Sequence, residues 1–179
     1  MLKLTRRSTA AACFATFAFS LLVPLAAFAQ DPDPVCLDLF ERVKEPPADQ
    51  PNSEASKQLE GCDSEQLYYG ERTPETLKQA RLCAYVEREG YDLPTVSGPA
   101  ILMMLYANGF GVERNFELAQ RFACEVGGSP EELAARRQLL EAYAKSDHRH
   151  DFDICDRVTS GFMKEICDGK AARLAKRTQ

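Results

Sequence analysis

Of the seven cysteines, Cys13 falls in the apolar N-terminal run, and the other six, Cys36, Cys62, Cys83, Cys124, Cys155 and Cys167, carry the most definite chemistry in the sequence. An even set of thiols in a chain marked for export reads as three disulfides, for which 15 pairings exist. A zinc site would want close pairs such as C-x-x-C, and the nearest two of these cysteines are 12 residues apart. A second cluster, Asp147-His148-Arg149-His150-Asp151 with Asp153 close behind, has the ligand types for a divalent cation. It reads instead as a charged interhelix loop, because ligands crowded on a loop rarely fix a coordination geometry. Ser64, Ser97, Ser129, Ser146 and Ser160 are candidate nucleophiles, but none sits in a G-x-S-x-G elbow. Ser129 and Ser160 are already explained as helix caps, and disulfides would consume the thiols. No catalytic residue, metal or cofactor is expected from these groups.

The export signal lies at the start. Lys3, Arg6 and Arg7 precede an apolar run from Ala10 to Leu25, and Ala27-Phe28-Ala29 has the small-x-small pattern of a cleavage site. Residues 1–29 therefore read as a signal peptide, which places the mature chain in the periplasm or outside the cell. Without those three basic residues, 19 basic and 27 acidic residues remain and the net charge falls from −5 to −8. Such a chain is a poor nucleic-acid ligand and is attracted at long range to a basic partner. No apolar run after residue 29 is long enough to span a bilayer, so no membrane contact is expected once the signal is removed.

Helical spacing dominates the rest. Val35, Leu39 and Val43 fall at i, i+4 and i+8, the mark of a short amphipathic helix carrying Cys36. Glu45 to Ser56 (EPPADQPNSEAS) has three prolines and no apolar residue larger than alanine, so residues 30–60 read as an N-terminal helix and a linker without a face to bury. Asp63 with Gln66 has capping-box spacing. Thr73-Pro74-Glu75 begins a helix to about Glu89, with Leu77, Ala80, Cys83 and Ala84 on its buried stripe. Leu93 to Pro99 reads as a loop. Leu102, Leu105 and Tyr106, then Leu118, Phe122 and Val126, predict two helices with one wet face each, joined by a glycine turn at Asn108-Gly109-Phe110-Gly111-Val112. Ser129-Pro130-Glu131-Glu132 is a complete capping box opening a helix to about Lys145, and a last helix is expected from Gly161 to about Lys176.

Two segments repeat. Leu67-Tyr68-Tyr69-Gly70 matches Met104-Leu105-Tyr106-Ala107 at an offset of 37, and Ala80 to Ala84 matches Ala119 to Ala123 at 39. Two αα-hairpins near that period indicate stacked helical repeats over residues 61–146. Leu105-Tyr106-Ala107-Asn108-Gly109-Phe110-Gly111-Val112 with Leu118-Ala119-Gln120-Arg121-Phe122-Ala123 resembles the Sel-one-like repeat, a relative of the tetratricopeptide repeat. That resemblance implies an all-α fold of stacked αα-hairpins presenting a surface to other proteins. Met103, Met104, Leu105 and Phe110 read as core, whereas Tyr68, Tyr69, Tyr85, Tyr91, Tyr106 and Tyr143 are the better candidates for contact residues, since exposed tyrosines are enriched where proteins meet.

The stretch from Phe152 to Cys167, FDICDRVTSGFMKEIC, resembles the opening of the LprI-type lysozyme inhibitor domain, making residues 147–179 a short helical C-terminal segment. With that resemblance goes a pairing of Cys155 with Cys167, which are close enough in sequence to meet across a short turn. Cys62 and Cys83 would then tie the first hairpin, and Cys36 with Cys124 remain; other pairings stay open. The two resemblances together imply a disulfide-stapled, non-enzymatic binding module of the bacterial envelope, in its sharper form an inhibitor of lysozyme. Two rivals are a hydrolase of the β-lactamase-like, cysteine-rich Sel-one-like class and a purely structural scaffold.

Overall fold

The computed structural model describes residues 33–90, 97–157 and 167. The chain divides into two compact units, Met1–Asp31 and Pro32–Gln179, and every described residue belongs to the second. The expected signal peptide, Tyr91, Ser160 and all but Cys167 of the expected last helix lie outside the described residues.

The described chain is all-α. Its α-helices are α1 (Pro34–Arg42), α2 (Ser53–Gln58), α3 (Ser64–Tyr68), α4 (Pro74–Gly90), α5 (Ser97–Asn108), α6 (Phe116–Glu125) and α7 (Pro130–Ala144). Single 3-10 turns occur at Pro47–Asp49 and Ile154–Arg157. Local chemistry sets several starts. Asp33 caps α1 by accepting from the amides of Val35 and Cys36, and Asp63 caps α3 by accepting from Gln66. At α7, Ser129 and Glu132 bond each other's backbone amides in a reciprocal capping box. Asn115 caps α6, a start that apolar spacing alone does not mark.

Helices α3 to α7 pack in chain order, each on the next, with α1 laid on α6. The two repeated segments become α3–α4 and α5–α6, but unequally: the leading helix has five residues in the first and twelve in the second. Ala80, Ala84, Ala119 and Ala123 are all fully buried, so the small residues sit where helices press together. Between α5 and α6 the backbone turns through Gly109 and Gly111, with φ of +74° and +66°. Only glycine reaches that region without strain, and a Cβ at Gly111 would also press on Leu77 at 3.1 Å.

Two sequence expectations change here. Helix α5 has no wet face, since every residue from Gly98 to Asn108 is buried. Its sequence is apolar on all sides, which fits a helix enclosed by α3, α4 and α6 rather than one at the surface. The loop expected as far as Pro99 is also shorter, because α5 starts at Ser97 and takes Gly98 and Pro99 into its first turn, where proline costs no hydrogen bond. Gly98 lies against α4 so tightly that a Cβ would meet the Ala84 carbonyl oxygen at 2.7 Å. Gly98→Ala is therefore expected to destabilise by about 1–3 kcal/mol, despite alanine's better helix propensity, and a thermal melt would show it.

The proline-rich linker is docked. Neither its 3-10 turn nor α2 contributes a buried residue, so the expectation that it has no face to bury holds as far as apolar packing goes. It is held instead by charge. Glu45 bridges Arg88 and Arg121 at 2.7 Å each, and Asp49 reaches Arg81 at 3.2 Å and accepts from the Tyr106 hydroxyl at 2.9 Å.

Candidate protein-binding surface

Three disulfides fix the frame. Cys36–Cys124, Cys62–Cys83 and Cys155–Cys167 are bonded, with Cα separations of 5.7, 6.0 and 5.3 Å. The first pins α1 to the C-terminal turn of α6, the second joins the start of α3 to the middle of α4, and the third closes a 12-residue loop in the tail. Such bonds persist in oxidising compartments. Among the described residues no helix is long and apolar enough to cross a membrane.

The tyrosines are mostly not at the surface. Tyr68, Tyr69, Tyr85 and Tyr106 are buried, Tyr143 is half-buried, and Tyr91 lies outside the described residues. Their rings fill the core while their hydroxyls are spent internally: Tyr85 and Tyr106 share a hydrogen bond at 3.2 Å, and Tyr68 accepts from Asn108 at 3.1 Å. Burial pushes the Tyr85 hydroxyl up to about 12 and raises Tyr68, Tyr69 and Tyr106 still further, so all four stay neutral. Met103, Met104 and Leu105 are core, and Phe110 lies half-buried against it.

Several of the polar candidates are tied up as well. Ser64 is fully buried, with its amide and hydroxyl both donating to Glu87, which acts as an extra cap for α3. Ser129 caps α7, and the Ser146 hydroxyl donates to the Tyr143 carbonyl at 2.7 Å. His148 stacks on Phe116 at 5.6 Å and tilts against Tyr143 at 4.8 Å, and Asp147 pairs with Arg149. Among the described residues no three His, Cys, Asp or Glu side chains converge as metal ligands would.

Among the described residues the exposed large apolar side chains lie on α1. Cys36, Leu39 and Val43 face inward, whereas Val35, Leu37 and Phe40 leave 41%, 46% and 37% of their surface exposed. Beside this strip an open groove of about 280 Å³ runs from α1 across α6 to α7. Val35, Leu39, Phe116, Leu140 and Ala144 give it apolar walls. At its rim Arg42 pairs with Asp38 and Glu117, and Arg137 with Asp33. Glu141 completes the rim, so two arginines face four carboxylates. Of the expected stripe Val35, Leu39 and Val43, the last two face inward but Val35 is exposed, and spacing did not reveal the groove, which needs α7 to come alongside.

A second feature escaped the sequence altogether. Arg88 and Arg121 with Glu45 and Glu125 form a partly buried ring of alternating charge, and Arg88 also lies over Phe122 at 5.4 Å. Burial opposes the Arg88 charge, but its two carboxylate partners outweigh that and its pKa is raised. At Glu125 burial prevails over the arginines and raises the carboxyl pKa. The only local trace of it in the sequence is Arg121 and Glu125 at i and i+4 on α6, which does not reveal the partners on α4 and the linker. Compared with known protein families, curated proteins and solved structures, the chain matches none.

Proposed function

We propose that this chain is an exported, non-enzymatic protein-binding module that seats a basic partner against α1 and the groove beside it. The observation carrying the reading is an exposed apolar strip, Val35, Leu37 and Phe40, on a helix bonded covalently to the body by Cys36–Cys124. Exposed apolar side chains grouped beside a groove and rimmed by charge are a usual form of protein interface. The excess of carboxylates at the rim and the net charge of −8 expected after signal removal favour a basic partner. Lysozyme is the sharpest candidate, because the Phe152–Cys167 stretch resembles the opening of the LprI-type inhibitor domain.

The test is lysozyme turnover of peptidoglycan titrated with the oxidised chain from Gln30 onward. Saturable inhibition near stoichiometric ratio is expected, and Val35→Asp with Leu37→Asp should weaken it by roughly tenfold or more while shifting stability by no more than about 0.5 kcal/mol. No inhibition at large excess sinks the lysozyme assignment. Inhibition untouched by the α1 variant would instead move the binding face away from the groove.

A further inference from the structure

The acidic linker and the arginines beneath it have a shape that structural packing alone does not require. From Val43 to Asn52 the chain is mostly extended, interrupted only by the 3-10 turn Pro47–Asp49. Its Asp49 accepts from the Tyr106 hydroxyl at 2.9 Å, and Arg88, the partner of its Glu45, lies over the rings of Tyr85 and Phe122 at 6.0 and 5.4 Å, so an aromatic floor of Tyr85, Tyr106 and Phe122 underlies these contacts. Arg81, Arg88 and Arg121 rise around that floor, and their side chains are only 9%, 22% and 15% exposed. Glu45 and Asp49, four residues apart, are the two carboxylates the strap sends down to them. Arg121 also donates to the Val43 carbonyl at 3.1 Å. Val43 anchors the start of the strap in the core, and beyond it nothing apolar larger than proline holds the strap as far as Asn52. The guanidinium groups are not saturated either: Nε of Arg81 and Nε of Arg121 are buried without an acceptor.

These are the parts of a site for an extended acidic peptide: cationic walls, an aromatic floor and donors in excess of the acceptors present. We propose that the cleft of Arg81, Arg88 and Arg121 binds an extended segment of another chain bearing two carboxylates four residues apart, and that residues 43–52 occupy it in cis as a competing stand-in. The strap is tethered on both sides by disulfides, through Cys36 before it and Cys62 after it. A tethered competitor acts at an effective concentration of about millimolar, so an incoming segment must outbind it or find it displaced. Among the described residues, lifting the strap leaves Arg88 and Arg121 sharing Glu125, and Arg81 bonded only to the Gly111 carbonyl, an excess of buried positive charge that an acidic segment would neutralise. The site uses side chains other than those of the α1 groove, and does not depend on the function proposed for that groove.

The probe is a fluorescein-labelled peptide of residues 43–52, VKEPPADQPN, followed by anisotropy against the oxidised chain. The Glu45→Gln, Asp49→Asn double variant frees the cleft while keeping the arginines. It should bind the peptide roughly tenfold or more tightly than the unaltered chain does, because the cis competitor is weakened. Binding should fall as salt rises, and a peptide carrying the same two substitutions should not bind. A double variant that melts cooperatively with its disulfides intact yet fails to bind the acidic peptide overturns the proposal, as does equal binding of the neutral peptide. Should the double variant not melt cooperatively, hydrogen exchange on the unaltered chain at excess peptide decides. The Asp49 and Gln50 amides, bonded to the Pro46 and Pro47 carbonyls at 3.0 and 3.3 Å, then lose protection if the strap is displaced. Unchanged protection there rejects the proposal.

Discussion

Asn108→Ala is expected to lower the stability of the oxidised chain by about 3 kcal/mol, among the largest effects of any single substitution. The Asn108 side chain is buried and makes four hydrogen bonds. Its amide nitrogen donates to the Tyr68 hydroxyl at 3.1 Å and the Phe152 carbonyl at 2.8 Å, and its oxygen accepts from the Tyr143 hydroxyl at 3.1 Å and the Phe152 amide at 2.7 Å. One side chain thus joins α3, the end of α5, α7 and the segment leading to the tail. Truncation strands two hydroxyls and both backbone groups of a buried residue, each costing about 1–3 kcal/mol before water or relaxation recovers part of it. At roughly 2–4 °C per kcal/mol for a domain of this size, the melting temperature should fall by about 10 °C. Asn108→Asp should fare no better, because a carboxylate cannot donate to the Phe152 carbonyl and would be a buried charge without a cationic partner bonded to it. A melt of either variant within about 1 °C of the parent would mean that water replaces the network readily.

Removing the Cys36–Cys124 bond by Cys36→Ala with Cys124→Ala should cost about 4 kcal/mol, against about 3 kcal/mol for the pair Cys155→Ala and Cys167→Ala. The reason is loop length: the first bond closes 88 residues of the unfolded chain and the second only 12. The consequence is local as well as global. Apart from the disulfide, α1 is held by the burial of Leu39 and Val43 and by ion pairs through Arg42 and Arg137. Burying those two side chains contributes about 1.5–3 kcal/mol each, while exposed ion pairs contribute about 0–1 kcal/mol. Without the bond, α1 should fray before the body melts, and trypsin should cut after Arg42 and Lys44 well below the melting temperature. Equal tryptic resistance of the two forms would show that packing alone anchors the helix. A frayed α1 also loses one wall of the groove, so partner binding should weaken with it.

The two predictions and the strap proposal concern contacts that span the chain. Asn108 reaches 44 residues on to Phe152, Cys36 reaches 88 residues on to Cys124, and Glu45 reaches 43 residues on to Arg88. Local sequence chemistry speaks only to neighbours. Capping residues at Asp63, Thr73 and Ser129, prolines in first turns and the glycines at the α5–α6 turn marked most of the helix boundaries, because each acts within one turn of its own backbone. The apolar periodicity of α4 and α6 marked their inward faces for the same reason, and that of α1 did so at Leu39 and Val43 but not at Val35.

Burial on the remaining faces was settled by neighbours that the periodicity does not name. Helix α5 lost its expected wet face because α3, α4 and α6 enclose it, and four of the candidate contact tyrosines are core, their hydroxyls having found partners inside. The linker was correctly read as having no apolar face, yet it is docked, since Glu45 and Asp49 meet arginines from distant helices. An all-α chain, its main helix starts and six thiols beyond the N-terminal apolar run can all be read from local residues. Which thiols meet, which polar groups are buried and paired, and where an apolar groove remains follow from how the helices pack. Periodicity and capping are short-range properties of the backbone, whereas ion pairing, hydroxyl satisfaction and the opening between α1 and α7 depend on separations that exist only once the helices have packed.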